Sequence, residues 1–126
     1  HTPEIQETVK RFTGQSLDPF FATHLLPVKR GILASIFVKS HTTDIKEIQA
    51  AFEQAYSNYP LVRHGTDVNQ LAKLQNVVGT PFTHISYTLI ENKLYLFSTI
   101  DNLLKGAASQ AIENLNRTLD LPVSFS

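Results

Sequence analysis

The 126 residues are 42% apolar and 17% charged, and eleven basic side chains balance eleven acidic ones; this profile fits one folded domain with its own core and excludes a disordered chain. A neutral chain with no Lys/Arg cluster offers no electrostatic footprint for nucleic acid or an anionic membrane, and its longest apolar run, GILASIFV, is too short to cross a bilayer. Without cysteine it holds no disulfide, thiolate nucleophile or zinc–sulfur site, which fits a cytoplasmic origin.

HTPEIQETVKRF reads as a helix, with Thr2 as N-cap, Pro3 in the first turn, Glu4 at the positive end of the dipole and Gly14 as terminator. GILASIFVK is apolar on both faces and rich in branched residues, so it reads as a strand buried on both sides or packed against a partner chain. DIKEIQAAFEQAYSN carries Ile45, Ile48, Phe52 and Ala55 at helical spacing, and Asp44 and Glu47 have the spacing of a capping box. YPLVRHG is a short extended piece, Thr66 to Lys73 is polar and loop-like, and NVVG reads as another short strand.

HISYTLI and LYLFSTI, joined through ENK, form a hairpin. In DNLLKGAASQAIENLNRTL, Leu104, Ala108, Ala111, Leu115 and Leu119 share a helical face behind Asn102 as N-cap. The closing LPVSFS stops where more chain is expected. This order predicts an α+β fold: a mixed, mostly antiparallel sheet with helices mainly on one face. No repeat or linker divides residues 1–126, so one domain is expected. A chain that opens His-Thr-Pro-Glu and has no methionine is expected to be cut from a longer one.

Three places could carry chemistry. His24 suits general acid–base work, because its proton moves near neutral pH, although a surface histidine is equally ordinary. The five histidines at 1, 24, 41, 64 and 84 show no i, i+4 pair, so no metal site is expected. Lys29 and Arg30 stand between Pro27 and Gly31; Arg30 could hold a carboxylate or phosphate through its planar fork, or the two could be solvated charges at a strand start. In DNLLKGAASQA, Lys105 opposes the helix dipole unless an anion sits nearby, and Gly106 to Ser109 leave little side-chain bulk. Close packing of a ligand and close packing of another helix both satisfy that run.

Taken together, HLLPVKRGILASIFVK and STIDNLLKGAASQAIENLN resemble N-acetyl-gamma-glutamyl-phosphate reductase, an enzyme family of arginine biosynthesis. HTPEI is similar to the segment that opens the family's second domain, and the likeness runs from His1 to about Leu121, loosely over residues 40 to 78. The resemblance implies a fold like the C-terminal domain of glyceraldehyde-3-phosphate dehydrogenase. It also implies reduction of an acyl phosphate by NADPH, through attack of a cysteine thiolate and hydride reduction of the thioester. His24 would be the acid–base partner of the thiolate, Arg30 would bind an anionic substrate group with Lys29 beside it, and Asn102, Lys105 and Gly106 would border the NADP nicotinamide.

The family's cysteine and its glycine-fingerprint cofactor domain are not in this sequence. The expectation is therefore an excised substrate-binding and dimerisation domain, inactive alone, that forms a homodimer or homotetramer through its sheet. It would bind a small acyl-phosphate substrate and no nucleic acid, membrane or metal. Pro81 in VVGTPF stands where the family usually has Asn, and Thr23 where many members have proline, so the role of the loop around Pro81 is open. An aspartate-semialdehyde dehydrogenase, an aminoadipyl-phosphate reductase and a non-catalytic α+β binding module are the rival readings.

Overall fold

The computed structural model describes residues 1–124, so Phe125 and Ser126 at the end of LPVSFS lie outside the described residues. Helix α1 (Thr2–Thr13) is followed by an irregular run, strand β1 (Ile32–Lys39), helix α2 (Ile45–Tyr56), strand β2 (Val62–Gly65) and the short helix α3 (Val68–Leu71). A 3-10 turn at Leu74–Asn76 leads to strands β3 (Thr83–Ile90) and β4 (Lys93–Ile100), then a π-helical turn at Leu104–Ala108 and helix α4 (Ser109–Thr118). The sheet order is β1-β4-β3-β2, with β1/β4 and β4/β3 antiparallel and β2/β3 parallel. This is the mixed, mostly antiparallel α+β sheet expected from the sequence.

Residues alternate between the faces of a strand, so the register sorts the side chains. Tyr87, Leu96 and Ile36 share one face, and Ser86, Phe97 and Ser35 the other. Helix α2 covers the first face where Phe52 stacks on Tyr87, their ring centroids 4.4 Å apart at 16°. The π-turn closes on the same face, because Gly106 lies against Ile100. Helix α3 sits on the opposite face, where the Leu71 carbonyl accepts a 2.9 Å bond from Thr99 Oγ1.

Local chemistry corrects several boundaries. Thr2 is the first helical residue rather than the cap; His1 precedes it, and its ring pairs with Glu4 at 2.9 Å. Gly14 ends α1 in the left-handed conformation, as expected. Asp44 caps α2 by accepting from Lys46 N, but the reciprocal half of a capping box is absent, because Asp44 N donates to Thr42 Oγ1. Residues 66–73 contain helix α3, capped by Asp67, rather than a plain loop. NVVG is not a strand: Val77 is wholly buried at the end of the 3-10 turn, and Gly79 takes φ 80°. The turn of the hairpin is Glu91–Asn92, since Lys93 already pairs with Ile90.

The apolar core is small: Leu61, Val77, Tyr87 and Leu94 are its buried members among the described residues. Ile32, Leu33, Ile36, Phe37 and Val38 remain exposed on both faces of edge strand β1, as do Leu115 on α4 and Leu119 at its C-terminal end. Total accessible surface is 9305 Å², against roughly 6,700 Å² for a compact chain of this size. The chain therefore exposes more surface than a compact domain of its size, and these apolar side chains are part of it. Tyr87 is the centre of what the chain buries itself. Tyr87→Ala should lower its unfolding free energy by about 3 kcal/mol or more in urea titration; a loss below about 1 kcal/mol would show that the Phe52–Tyr87 stack does not hold α2 to the sheet.

Candidate functional site

Antiparallel pairing of β1 with β4 puts Ile32 opposite Ile100, so the residues just before β1 and just after β4 meet at one end of the sheet. Thr83 also faces Ile100, which brings the loop ahead of β3 to the same end. Asp101 sits at this junction with no exposure to solvent. Its Oδ1 accepts from Leu103 N at 2.8 Å, from Leu104 N at 3.0 Å and from Arg30 Nη2 at 2.9 Å. Its Oδ2 accepts from Gly79 N and lies 2.8 Å from Arg30 Nη2. Burial pushes the carboxyl pKa up, but the bonds from Gly79, Arg30, Leu104 and Leu103 outweigh burial and hold it well below the usual carboxylate range.

Asp101, not Asn102, therefore accepts the N–H groups at the entry of the π-helical turn. Asn102 does something else: its Oδ1 accepts a 2.7 Å bond from Gly31 N. Gly31 is required there, because φ is +111° and an added Cβ would lie 2.8 Å from Leu74 Cδ2. The two segments quoted for the family resemblance are thus stapled together twice, through Arg30–Asp101 and through Gly31–Asn102. The loop that holds Pro81 is linked to this junction by Gly79 N, and Pro81 itself is buried.

Beside the junction lies an open cleft of about 630 Å³, lined by Val28, Arg30, Leu33, Lys73, Leu74 and Val78 among others. Two cations and branched apolar walls suit an anion carried on an apolar chain. Of the sequence candidates, Arg30 lines this cleft, while Lys29 and His24 are exposed. His24 lies in the irregular run before β1, close in sequence to the fully exposed Phe20 and Leu25, and its ring makes no hydrogen bond among the described residues.

Lys105 is already paired. Its ammonium meets the buried Glu113 carboxylate, which also takes Arg117 Nε at 3.4 Å, while the Arg117 guanidinium lies over the Tyr59 ring at 4.6 Å. Gly106 stays exposed, its N–H bonded to the Asp101 carbonyl at 2.9 Å. Sequence reasoning missed Asp101 and Glu113. Aspartate caps helices as well as asparagine does, so Asp101 had a local signal that Asn102 masked; Glu113 had none.

A second buried polar group lies on the sheet. His84 is 5% exposed, and neither ring nitrogen finds a partner; Ser86 Oγ on the same face is likewise unpaired. Burial, and then the nearby charge of Arg63, lower the His84 pKa below its ordinary value. Among the described residues no three His, Asp or Glu gather as a metal site would need, and no helix is long and apolar enough to cross a membrane.

The fold and junction define an α+β domain with a polar knot at one end of its sheet, a ligand-sized cleft beside it and an uncovered edge strand. Residues 1–102 match the family described as "Semialdehyde dehydrogenase, dimerisation domain", and the chain belongs to that family. It is 41% identical over 119 residues to an N-acetyl-gamma-glutamyl-phosphate reductase of Streptococcus thermophilus, covering 92% of this chain and 34% of that protein. Proteins of the same name from Brachyspira hyodysenteriae (38% over 125 residues, 96% and 35%) and Vesicomyosocius okutanii (40% over 118 residues, 92% and 33%) are also similar. The chain spans about a third of the length of these relatives.

His84 supplies a pH test of the packing. Because the folded state holds its pKa down, the unfolded chain binds the extra proton first as pH falls. The His84 contribution to stability is therefore complete above about pH 6.5, its ordinary pKa, and is lost as pH drops through the folded value. Melting temperature should fall between pH 7 and pH 5, and His84→Leu should flatten that part of the curve. A variant with the wild-type slope would show that His84 does not titrate on unfolding in this range.

Proposed function

We propose that this chain is the substrate-binding and dimerisation domain of an NADPH-dependent reductase, cytoplasmic in its work. The reaction would convert N-acetyl-gamma-glutamyl phosphate to N-acetylglutamate semialdehyde in arginine biosynthesis. One observation carries the reading: the two segments that resemble the reductase meet at one buried junction, and Arg30 of the first is held there by Asp101 of the second. The names of the similar proteins support the same reaction.

In this reading the attacking thiolate comes from outside the present chain, which has no cysteine. His24 takes the thiol proton and later protonates the developing oxyanion. Its open setting in the irregular run leaves the ring free to reach a group supplied by another part of the protein. Arg30 holds an anionic group of the substrate at the cleft, and exposed Lys29 adds to the positive field.

NADPH would supply the hydride. The exposed small residues Gly106, Ala107 and Ala108 fit the edge of a flat ring site, and Asn102 holds the approach to that turn by its bond to Gly31. Lys105 fits a cofactor phosphate less well, because Glu113 occupies its ammonium. Its part in the proposal is to hold the turn in shape.

The sheet is proposed to pair with a second copy of the chain, as a homodimer or as half of a homotetramer. The surplus surface, roughly 2,600 Å², is several times the ~800 Å² that a standard interface takes from one partner, which leaves room for both a subunit contact and a neighbouring domain. Phe37 is the focus of the open face, 64% exposed and packed edge-on against Tyr95 and Phe97.

Two experiments on the full-length protein test this reading. His24→Ala should lower kcat for phosphate-dependent NADP reduction with N-acetylglutamate semialdehyde by roughly 10²-fold or more while folding is kept; near-normal turnover would remove His24 from the chemistry. Phe37→Asp should shift the sedimenting species to a smaller mass, and an unchanged mass would place the subunit contact elsewhere.

A further inference from the structure

We propose that Asp101 is a positioning residue for anion binding: it fixes the Arg30 guanidinium so that Arg30 meets a carboxylate on an apolar chain end-on, from the cleft. The proposal rests on the reading of Arg30 as the anion contact of the site. A helix cap alone would need only the Oδ1 bonds to Leu103 N and Leu104 N. Asp101 goes further. Its Oδ2 accepts from Gly79 N, and Arg30 Nη2 lies 2.9 Å from one oxygen and 2.8 Å from the other.

The same contact decides what Arg30 can offer. Nη2 is committed to Asp101, and Nε is buried without a partner, so the side-on edge of the fork is closed to a ligand. The side chain keeps 35% of its exposure and lines the cleft, which leaves the end-on approach. The two-bond grip of the planar fork expected from the sequence is therefore confined to this one approach. Val28, Leu33, Leu74 and Val78 give the cleft apolar walls, and Lys73 adds a second cation. These favour a carboxylate on a methylene chain over a small hydrated anion.

Asp101→Asn separates the two roles, because asparagine caps a helix equally well but carries no charge to hold Arg30. In the full-length enzyme this variant should raise KM for N-acetylglutamate semialdehyde about tenfold, with KM for NADP within twofold of wild type. In an Arg30→Lys background it should add less than twofold, since Asp101 acts through Arg30. Equal rises in both KM values, or an unchanged substrate KM, would reduce Asp101 to a cap.

A binding readout keeps the proposal testable without turnover, so that a wild type inactive on this substrate would sink the functional reading alone. N-acetylglutamate should raise the melting temperature of wild type and not of Asp101→Asn or Arg30→Lys. Protection by inorganic phosphate instead, or equal protection of all three proteins by N-acetylglutamate, would overturn the assignment. Should the asparagine variant fail to fold, Asp101→Ser, which also caps, carries the same comparison.

Discussion

A fully buried carboxylate is costly unless its charge and lone pairs are answered, and at Asp101 they are: one guanidinium nitrogen and three backbone N–H groups converge on its two oxygens. Those donors come from three separate stretches of chain: the approach to β1, the loop before β3 and the turn after β4. The sheet register alone brings the three to one end, and Asp101 keeps them there. Removing the charge would leave Arg30 with its Nη2 partner weakened and its Nε already unpaired. Stability and site geometry therefore hang on the same contact.

The rest of the structure is open by comparison. Few side chains are buried, and edge strand β1 shows branched and aromatic residues on both faces. An exposed, apolar edge of eight residues is a liability for an isolated chain. The association proposed above would cover this surplus, and the Asp101 carboxylate of the polar knot beside it has all of its bonds made within the chain. The Lys105–Glu113–Arg117 network makes the same point on the helical side, where a buried carboxylate is answered by two cations.

Periodicity carried much of the fold. Branched residues marked β1, Asp44 marked the start of α2, and the short polar turn marked the hairpin, because each is a local preference that the tertiary structure kept. NVVG failed because a β-branched pair also fits a buried turn, and Gly79 with positive φ ends any strand there. The Thr66–Lys73 stretch failed because a helix of four residues leaves no periodic trace. For the site, Arg30 and Asn102 were legible as unusual residues beside glycine or a helix start, but the pairs Arg30–Asp101 and Gly31–Asn102, each 71 residues apart, were not. Only the register of β1 on β4 reveals it. The anion beside Lys105 could not be named from sequence, since its partner Glu113 stands eight positions on, across a π-turn whose phase no helical wheel predicts.

The most direct test is a double-mutant cycle between Arg30 and Asp101, read by chemical unfolding of Arg30→Ala, Asp101→Asn and the double variant. A junction held by this pair predicts a coupling free energy on the order of 2 kcal/mol, with the double variant costing clearly less than the two single variants summed. Additive losses, within about 0.5 kcal/mol, would mean that Arg30 and Asp101 stabilise the protein independently, and the knot would not be the constraint on which the site depends.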